Sequence, residues 1–405
     1  MCEQAPCHIR ILDLTHYVAG PYCTKMLADY GAEVIKVEKP GGGDPTRRLG
    51  PFTNDEPDSE RSGLFLHLNT NKKGITLNLK SDTGRKIFKE LIKESDILVE
   101  NFEPRVMPSL DLSYEVLREI NPKLVMTSIS NFGQHGPYRN FKASELVLYG
   151  MGHAMHSSGL SDREPLKMWG YVNQFYAGMV AATASLIALF GVEANGVGDH
   201  LDISIQETEL TSVDRIIYYL LSYQYTGKTA PREEALGWGL PYPIGIAKDG
   251  FFFIGTSMIN WNYFSKVCQI MGEPELVNDP RFSSRESHMD PQRRDEFEAI
   301  WMSWTTQQSK QDIFLTGQKA RVITTPINSV EDLIRDPHLK ERGFWQEAEH
   351  PSVGKLMYPG APFKAKTQWQ IRKPAPLLGQ HNKEVFGALG YTTQDVVKLG
   401  EAGII

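Results

Sequence analysis

The stretch from Phe175 to Val192 is a continuous apolar run, long enough for about five turns of helix, and it limits the possible folds more than any other part of the chain. Ala177, Ala181, Ala184 and Ala188 recur at three- and four-residue spacing, so one face of that helix is nearly smooth and admits another backbone at close range. Asn195, Gly196, Gly198 and Asp199 end it, and His200 to Ile205 alternates Leu201, Ile203 and Ile205 as a strand does. The pattern predicts a helix, a turn and a strand set deep in a core. A membrane span fits poorly, because Glu193 bounds the run and Thr183 and Ser185 interrupt it.

The same alternation fills the first part of the chain. Ile9 to Leu14 predicts a strand, Pro21 to Tyr30 a helix closed by Gly31, and Glu33 to Val37 the next strand. Ile75 to Leu79 and Ile97 to Val99 predict strands around a helix that Ser81 caps and that ends near Glu94. A helix near Tyr114 to Ile120 then leads to a strand from Leu124 to Ile129. Strands and helices alternating at these lengths indicate an α/β fold with a parallel, doubly wound sheet. No G-x-G-x-x-G follows the first strand, so no dinucleotide is expected. Gly41-Gly42-Gly43 follows the second strand instead, either as a flexible loop or as one lying beside a phosphate-bearing ligand.

After a helix from about Glu207 to Tyr225 the composition loosens. Ile244 to Ala247 and Phe251 to Gly255 flank the turn signal Lys248-Asp249-Gly250, and helices follow near Trp261 to Met271, Arg293 to Trp304 and Lys310 to Leu315. The expected organisation is a large domain over 1–225, a smaller α+β domain over 226–328, and a segment over 329–405 that closes in two short amphipathic helices. A net charge of -6 with no long Lys/Arg run argues against a nucleic-acid partner, so an anionic ligand would need a local cationic patch. Cys2, Cys7, Cys23 and Cys268 lack metal-ligand spacing and are too few for a disulfide scaffold. With no basic region and apolar run at the N-terminus, the expectation is a cytoplasmic protein with free thiols, no metal and no membrane partner.

Six strings in order carry a resemblance: DLTHYVAGP (13–21), GAEVIKVEKPGGGDPTR (31–47), LNTNKKGITLNLK (68–80), LVENFEP (98–104), ISNFGQHGPYR (129–139) and APLLGQHNKEVFGALG (375–390). With the small-residue helix and the strand ending S-I-Q-E, they make the chain similar to the class III CoA-transferases, the family of formyl-CoA and carnitine CoA-transferases and α-methylacyl-CoA racemases. The resemblance implies a Rossmann-like large domain built from both chain ends, a small domain, and two chains threaded through each other as interlinked rings. It implies CoA or an acyl-CoA as substrate or ligand, with no tightly bound cofactor. It also implies a covalent mechanism, in which an Asp carboxylate attacks an acyl-CoA thioester and passes CoA to a second acid through an anhydride and an enzyme thioester.

That Asp belongs at the start of the small-residue helix, about twenty-two residues before the turn, where this chain has Gln174. No Asp or Glu lies between Pro165 and Val192, so no shift of register restores it. A carboxamide is a poor nucleophile, and electrostatic stabilisation does not replace the covalent step. Positions that match the family's CoA site are Val18, Ala19, Lys39, Asn69, Thr70, Asn71, Lys72, Asn101, Phe102, Lys142 and Glu145. Other departures accompany Gln174. Val18 stands where a Gln is common, Pro108 to Leu110 lie where an Arg for CoA is usual, and Ser144 lies where the racemases place a His. Trp169, Tyr171, Phe175 and Tyr176 would suit an aromatic acid, though such spacing also marks plain core.

Three readings follow. The first is a catalytically silent subunit whose Asp-bearing partner carries the chemistry, as in the two-subunit succinyl-CoA:benzylsuccinate CoA-transferase of anaerobic toluene degradation. The second is a self-sufficient homodimeric transferase or isomerase using another carboxylate, such as Glu145, Asp162 or Glu164. The third is an acyl-CoA-binding protein without turnover.

Overall fold

The structure, a computed structural model, describes residues 8–212, 214–229, 232, 240–255, 261–366 and 369–405. Contacts divide the chain into two compact units, one of Met1–Ser158, Pro165–Ala230 and Glu341–Ile405, the other of Gly159–Glu164 and Pro231–Lys340.

In the first unit, β1 (Arg10–Leu14), β2 (Glu33–Glu38), β3 (Lys72–Thr76), β4 (Ile97–Glu100), β5 (Val125–Ser130) and β6 (His200–Ser204) form one sheet in the order β3-β2-β1-β4-β5-β6. All its pairings are parallel, with Leu12 opposite Ile35 on one side and Leu98 on the other. Parallel strands need crossovers, and those crossovers cover both faces of the sheet. Successive strand residues therefore serve opposite cores. Ile11, Val34, Val99 and Val125 meet Ala19, Cys23 and Leu27 of α1 (Ala19–Asp29) on one side, while Leu12, Ile35, Leu98 and Met126 meet Ile87, Phe88 and Leu91 of α2 (Asp82–Lys93) on the other. Ser81 caps α2, its hydroxyl accepting the Gly84 N–H at 3.0 Å. Each buried Leu, Ile or Phe contributes about 1.5–3 kcal/mol by leaving water.

The crossover from β4 to β5 runs through α3 (Tyr114–Ile120), and the one from β5 to β6 through α4 (Glu145–Met151) and α5 (Val172–Asn195). α5 is the predicted apolar helix, begun three residues earlier than the run itself and closed by Gly196 in the left-handed conformation at φ 75°. The small face does bring backbones together. A Cβ on Gly178 would lie 2.6 Å from the Ala19 carbonyl oxygen of α1, and Ser185 bonds both Thr127 on β5 and the Ala181 carbonyl at 2.7 Å. The expectation that the helix lies deep in a core needs correction, because only this face is buried. The long side chains occupy the opposite face, where Met179, Ile187 and Phe190 are 46, 68 and 74% exposed.

The helix expected from Glu207 to Tyr225 is described as α6 (Ile205–Ser212) and α7 (Asp214–Thr226), with residue 213 between them outside the described residues. The chain returns to the first unit through an antiparallel hairpin of Trp345–His350 and Gly354–Pro359 and two short helices, Asn382–Ala388 and Thr393–Glu401. Val385 and Phe386 from the first of these complete the second core beside Ile75.

The second unit packs helices Trp261–Met271, Pro291–Thr305 and Lys310–Lys319 with a three-stranded antiparallel sheet of Ile244–Ala247, Gly250–Ile254 and Thr324–Pro326. Phe252, Phe264, Phe282, Phe297 and Trp301 fill its core.

Two glycines of α5 separate close packing from helix propensity. Gly178→Ala should cost about 1–3 kcal/mol by forcing α1 and α5 apart. Gly191→Ala, with nothing within 4 Å of the added methyl, should gain about 0.5–1 kcal/mol. Urea unfolding of both variants checks the opposite signs.

Candidate functional site

The chain leaves β1 towards β2 and leaves β4 towards β5, so a crevice opens at the carboxyl ends of the two adjacent strands β1 and β4. A cavity of about 720 Å³ lies there. It is walled by His16, Tyr17 and Val18 after β1, by Asn101 to Val106 after β4, by the end of β5, and by Tyr171 and Gln174 at the start of α5. That volume suits a small-molecule ligand.

The loop after β1 is held by a buried ion network. Asp13 accepts the Thr15 N–H at 3.0 Å on one carboxylate oxygen, and on the other the Thr24 hydroxyl at 2.7 Å and the Lys72 ammonium at 2.8 Å. Lys36 donates to the Thr15 carbonyl at 2.9 Å and pairs with Asp44 at 3.0 Å, while Asp44 accepts the Tyr17 N–H at 3.2 Å. Tyr17 is thereby kept at φ 67°, a conformation a bulky residue rarely adopts. Burial favours the neutral Asp13 carboxyl, yet Lys36 and Lys72 overcome it and hold that group well below the usual carboxylate range. Burial acts on Lys72 against the attraction of Asp13, and its ammonium is pushed down to about 8.

This network takes up part of the predicted ligand set. Lys72 is fully buried, and its three donors go to Asp13, the Pro21 carbonyl and Asn69. Asn69 also bonds the Phe65 carbonyl, and Thr70 bonds Asp29 and Lys25. Asn71 reaches Asp29 and the backbone of Gln370, Arg372 and Lys373, tying the C-terminal segment to α1. All four residues lie outside the cavity, as do buried Ala19 and exposed Lys39. Their polar groups serve the fold because buried polar atoms need partners.

Val18, Asn101, Phe102, Lys142, Glu145 and Gln174 do converge on the cavity. Asn101 uses its amide to clamp the backbone of His16, accepting its N–H at 2.9 Å and donating to its carbonyl at 2.7 Å. Lys142 is exposed and pairs with Glu103, which also pairs with Arg105. Pro108 to Leu110 stand where an Arg for CoA is usual, while Arg105 and Arg139 both line the cavity. Each ended or bordered a quoted string, so the signal was present. His16 was also missed. Burial keeps its imidazole below its ordinary pKa, hence neutral at pH 7. Of the aromatic residues near Gln174, only Tyr171 lines the cavity, Trp169 being 95% exposed and Phe175 packed edge-on against Tyr22.

The start of α5 sits between two carboxylates. Glu145 accepts the Asn173 N–H on Oε1 at 3.0 Å, and Glu209 of α6 accepts the Asn173 side-chain amide at 2.7 Å. Burial pushes Glu209 up to about 7, helped by the charge of Glu145. Asp162 and Glu164 are exposed members of the other unit and do not line the cavity. Beneath the loop after β4, burial likewise pushes Glu100 up to about 7, against hydrogen bonds from Ser128 and the Phe102 N–H and with Asp202 adding to the rise.

The crevice at the carboxyl ends of β1 and β4 thus carries the cations Arg105, Arg139 and Lys142 in its lining, beside Glu103, Glu145 and the start of α5. Residues 8–382 match the model of CoA-transferase family III, and the chain belongs to that family. It is 32% identical over 98% of its length to the succinyl-CoA:glutarate CoA-transferase of Mus musculus, covering 89% of that protein. It is 30% identical to the succinyl-CoA:(R)-benzylsuccinate CoA-transferase subunit BbsE of Thauera aromatica, covering 98% of this chain and 97% of that one. A crystal structure of a CaiB/BaiF family protein from Brucella suis superposes with a TM-score of 0.84 at 28% identity, covering 96% of this chain and all of that one, 100%.

Glu100 gives a pH signature. Its folded-state value, about 7, exceeds its ordinary 4.5, so its contribution to stability is complete below 4.5 and is lost as pH rises through 7. Glu100→Gln should remove at most roughly 3 kcal/mol of the stability loss between pH 5 and 8. Urea unfolding of both proteins at those two pH values measures it, with Glu209 contributing equally to each.

Proposed function

We propose that this chain is the non-nucleophilic subunit of a two-chain class III CoA-transferase. CoA moves between an acyl-CoA such as succinyl-CoA and a carboxylic acid such as benzylsuccinate, and the partner subunit supplies the Asp. The observation that carries this reading is Gln174, a carboxamide on the cavity wall at the first turn of α5. Val18 at the start of α1 supports it, because the loop that would face a reacting carboxylate has also lost its polar side chain. A relative whose name makes it a subunit of a benzylsuccinate enzyme supports it further.

In this reading the enzyme is cytoplasmic, the large domain is Rossmann-like, and the two chains interlink, with the small domain over 226–328 set between the two parts of the large one. The exposed apolar face of α5, with Met179, Ile187 and Phe190, suits coverage by such a partner. CoA enters as substrate and no cofactor stays bound, with Arg105, Arg139 and Lys142 as the cations for its phosphates. Val18, Asn101 and Phe102 shape the path, while Lys39, Ala19 and the segment from Asn69 to Lys72 support it from outside the cavity.

A second reading has one observation in its favour. A chain that transfers CoA unaided needs a carboxylate in the cavity, and of Glu145, Asp162 and Glu164 only Glu145 lines it. A third, an acyl-CoA-binding protein without turnover, uses the same cavity.

Co-expression separates them. With succinyl-CoA and benzylsuccinate, transfer should appear only when the chain is paired with an Asp-bearing paralogue, and mutating the paralogue's Asp should abolish it. Transfer by the chain alone, lost in Glu145→Gln, would establish the second reading. Tight CoA binding with no turnover in any pairing would establish the third.

A further inference from the structure

We propose that the cavity of this chain hydrolyses acyl-CoA thioesters, with Glu145 acting as general base toward water and Gln174 as hydrogen-bond donor to the thioester carbonyl oxygen. The inference rests on the reading that the cavity admits a CoA thioester, and it concerns an activity separate from transfer.

The juxtaposition is specific. Glu145 and Gln174 both line the cavity, one from the start of α4 and the other from the first turn of α5. The Glu145 side chain is only 10% exposed. Its Oε1 is fixed on the Asn173 N–H at 3.0 Å, which sets the carboxylate beside Gln174 along the helix. Its Oε2 accepts no hydrogen bond. Lys167 lies 3.7 Å from Oε1 but directs its donors to the carbonyls of Met168 and Gly170 at 2.6 and 2.7 Å. One oxygen of a buried carboxylate is thus left to meet a proton, and a buried acceptor without a donor is costly.

The neighbouring groups suit the other half of the reaction. A carboxamide cannot attack a thioester usefully, but its N–H groups stabilise the negative charge that forms on a carbonyl oxygen. The positive end of a 24-residue helix dipole adds to that field. The position that would form the acyl anhydride is neutral, and Glu145 approaches from another element with one oxygen tied down. A general base reaches its target through one water, whereas a nucleophile must touch it.

In the step itself, Glu145 Oε2 takes a proton from water as the water oxygen bonds to the thioester carbonyl carbon. The carbonyl electron pair moves onto the oxygen facing Gln174. The pair then returns, the C–S bond breaks, and the CoA sulfur leaves with the proton held on Glu145. Acyl-CoA and water give a carboxylic acid and CoA, and Glu145 ends as it began. Tyr171, Ile129 and Ile205 are apolar members of the same cavity lining, and the charge of Glu145 repels a second carboxylate brought beside it. The favoured substrates are therefore acyl-CoAs with an uncharged acyl chain.

The chain is tested alone, without an acceptor acid, on butyryl-CoA and succinyl-CoA, with thiol release followed by Ellman's reagent in water enriched in oxygen-18. Release of thiol, faster from butyryl-CoA, with one labelled oxygen in the butyrate, supports the proposal. Glu145→Gln keeps an oxygen for the Asn173 N–H and should lower kcat by about 10²-fold or more, with an unchanged melting temperature. Gln174→Ala should lower kcat while leaving KM near its starting value. Absence of thiol release from a protein that binds a butyl-CoA thioether would overturn the proposal and leave the subunit reading intact. Conversion of the Glu145 carboxylate to its alcohol by borohydride, with CoA released, would show a glutamyl thioester and overturn it in favour of direct attack. Failure to bind the thioether would remove the reading on which it rests.

Discussion

The ion network of Asp13, Lys72, Lys36 and Asp44 is the constraint on which the rest of the large unit depends. It joins three neighbouring strands and the loop after β2, and both lysine side chains are fully buried. Charges taken this far out of water are tolerated only when every one is paired and hydrogen-bonded. That requirement fixes the backbone of Thr15 and Tyr17, and with it the place where α1 begins. The cavity wall after β1 follows from the same bonds. Removal of a single member would leave a buried charge unanswered, a change costing about 3–5 kcal/mol in comparable pairs.

Much of the fold was legible because alternation between strand and helix leaves a strong periodic trace. Five of the six strands of the large sheet lie where Ile, Val and Leu cluster, whereas the one expected over Ile75 to Leu79 lies three residues earlier, at Lys72–Thr76, and Ser81 marked its helix as a cap should. What the trace does not carry is direction around a helix that is apolar on every side. The run from Phe175 to Val192 has no polar face to point outward, so its outer half looked buried when it is exposed.

Only part of the expected ligand set lines the cavity. Asn101 and Phe102 reach the cavity from the end of β4, where the sheet topology opens a crevice, and Glu145 and Gln174 reach it from the starts of α4 and α5. Lys72 and its three predecessors lie in an equally recognisable string, yet their side chains are consumed by Asp13, Asp29 and the returning C-terminus. A motif records that a residue type is needed, and both a ligand and a buried partner can need a lysine. Arg105 and Arg139 were passed over for the converse reason, because a cation for a phosphate can come from any neighbouring loop.

The return of the C-terminal segment has a consequence for how the protein is made. Phe386 and Val385 close the second core against β3, and Asn71 grips the backbone of Arg372 and Lys373. These groups leave the ribosome only after the whole second unit has been synthesised. Until then the sheet carries an uncovered apolar face beside Ile75, the kind of surface that associates wrongly or attracts chaperones. The large unit is therefore completed only after the second unit has been synthesised, whereas the second unit, contiguous from Pro231 to Lys340 apart from its short strap, can form before the 341–405 segment is made.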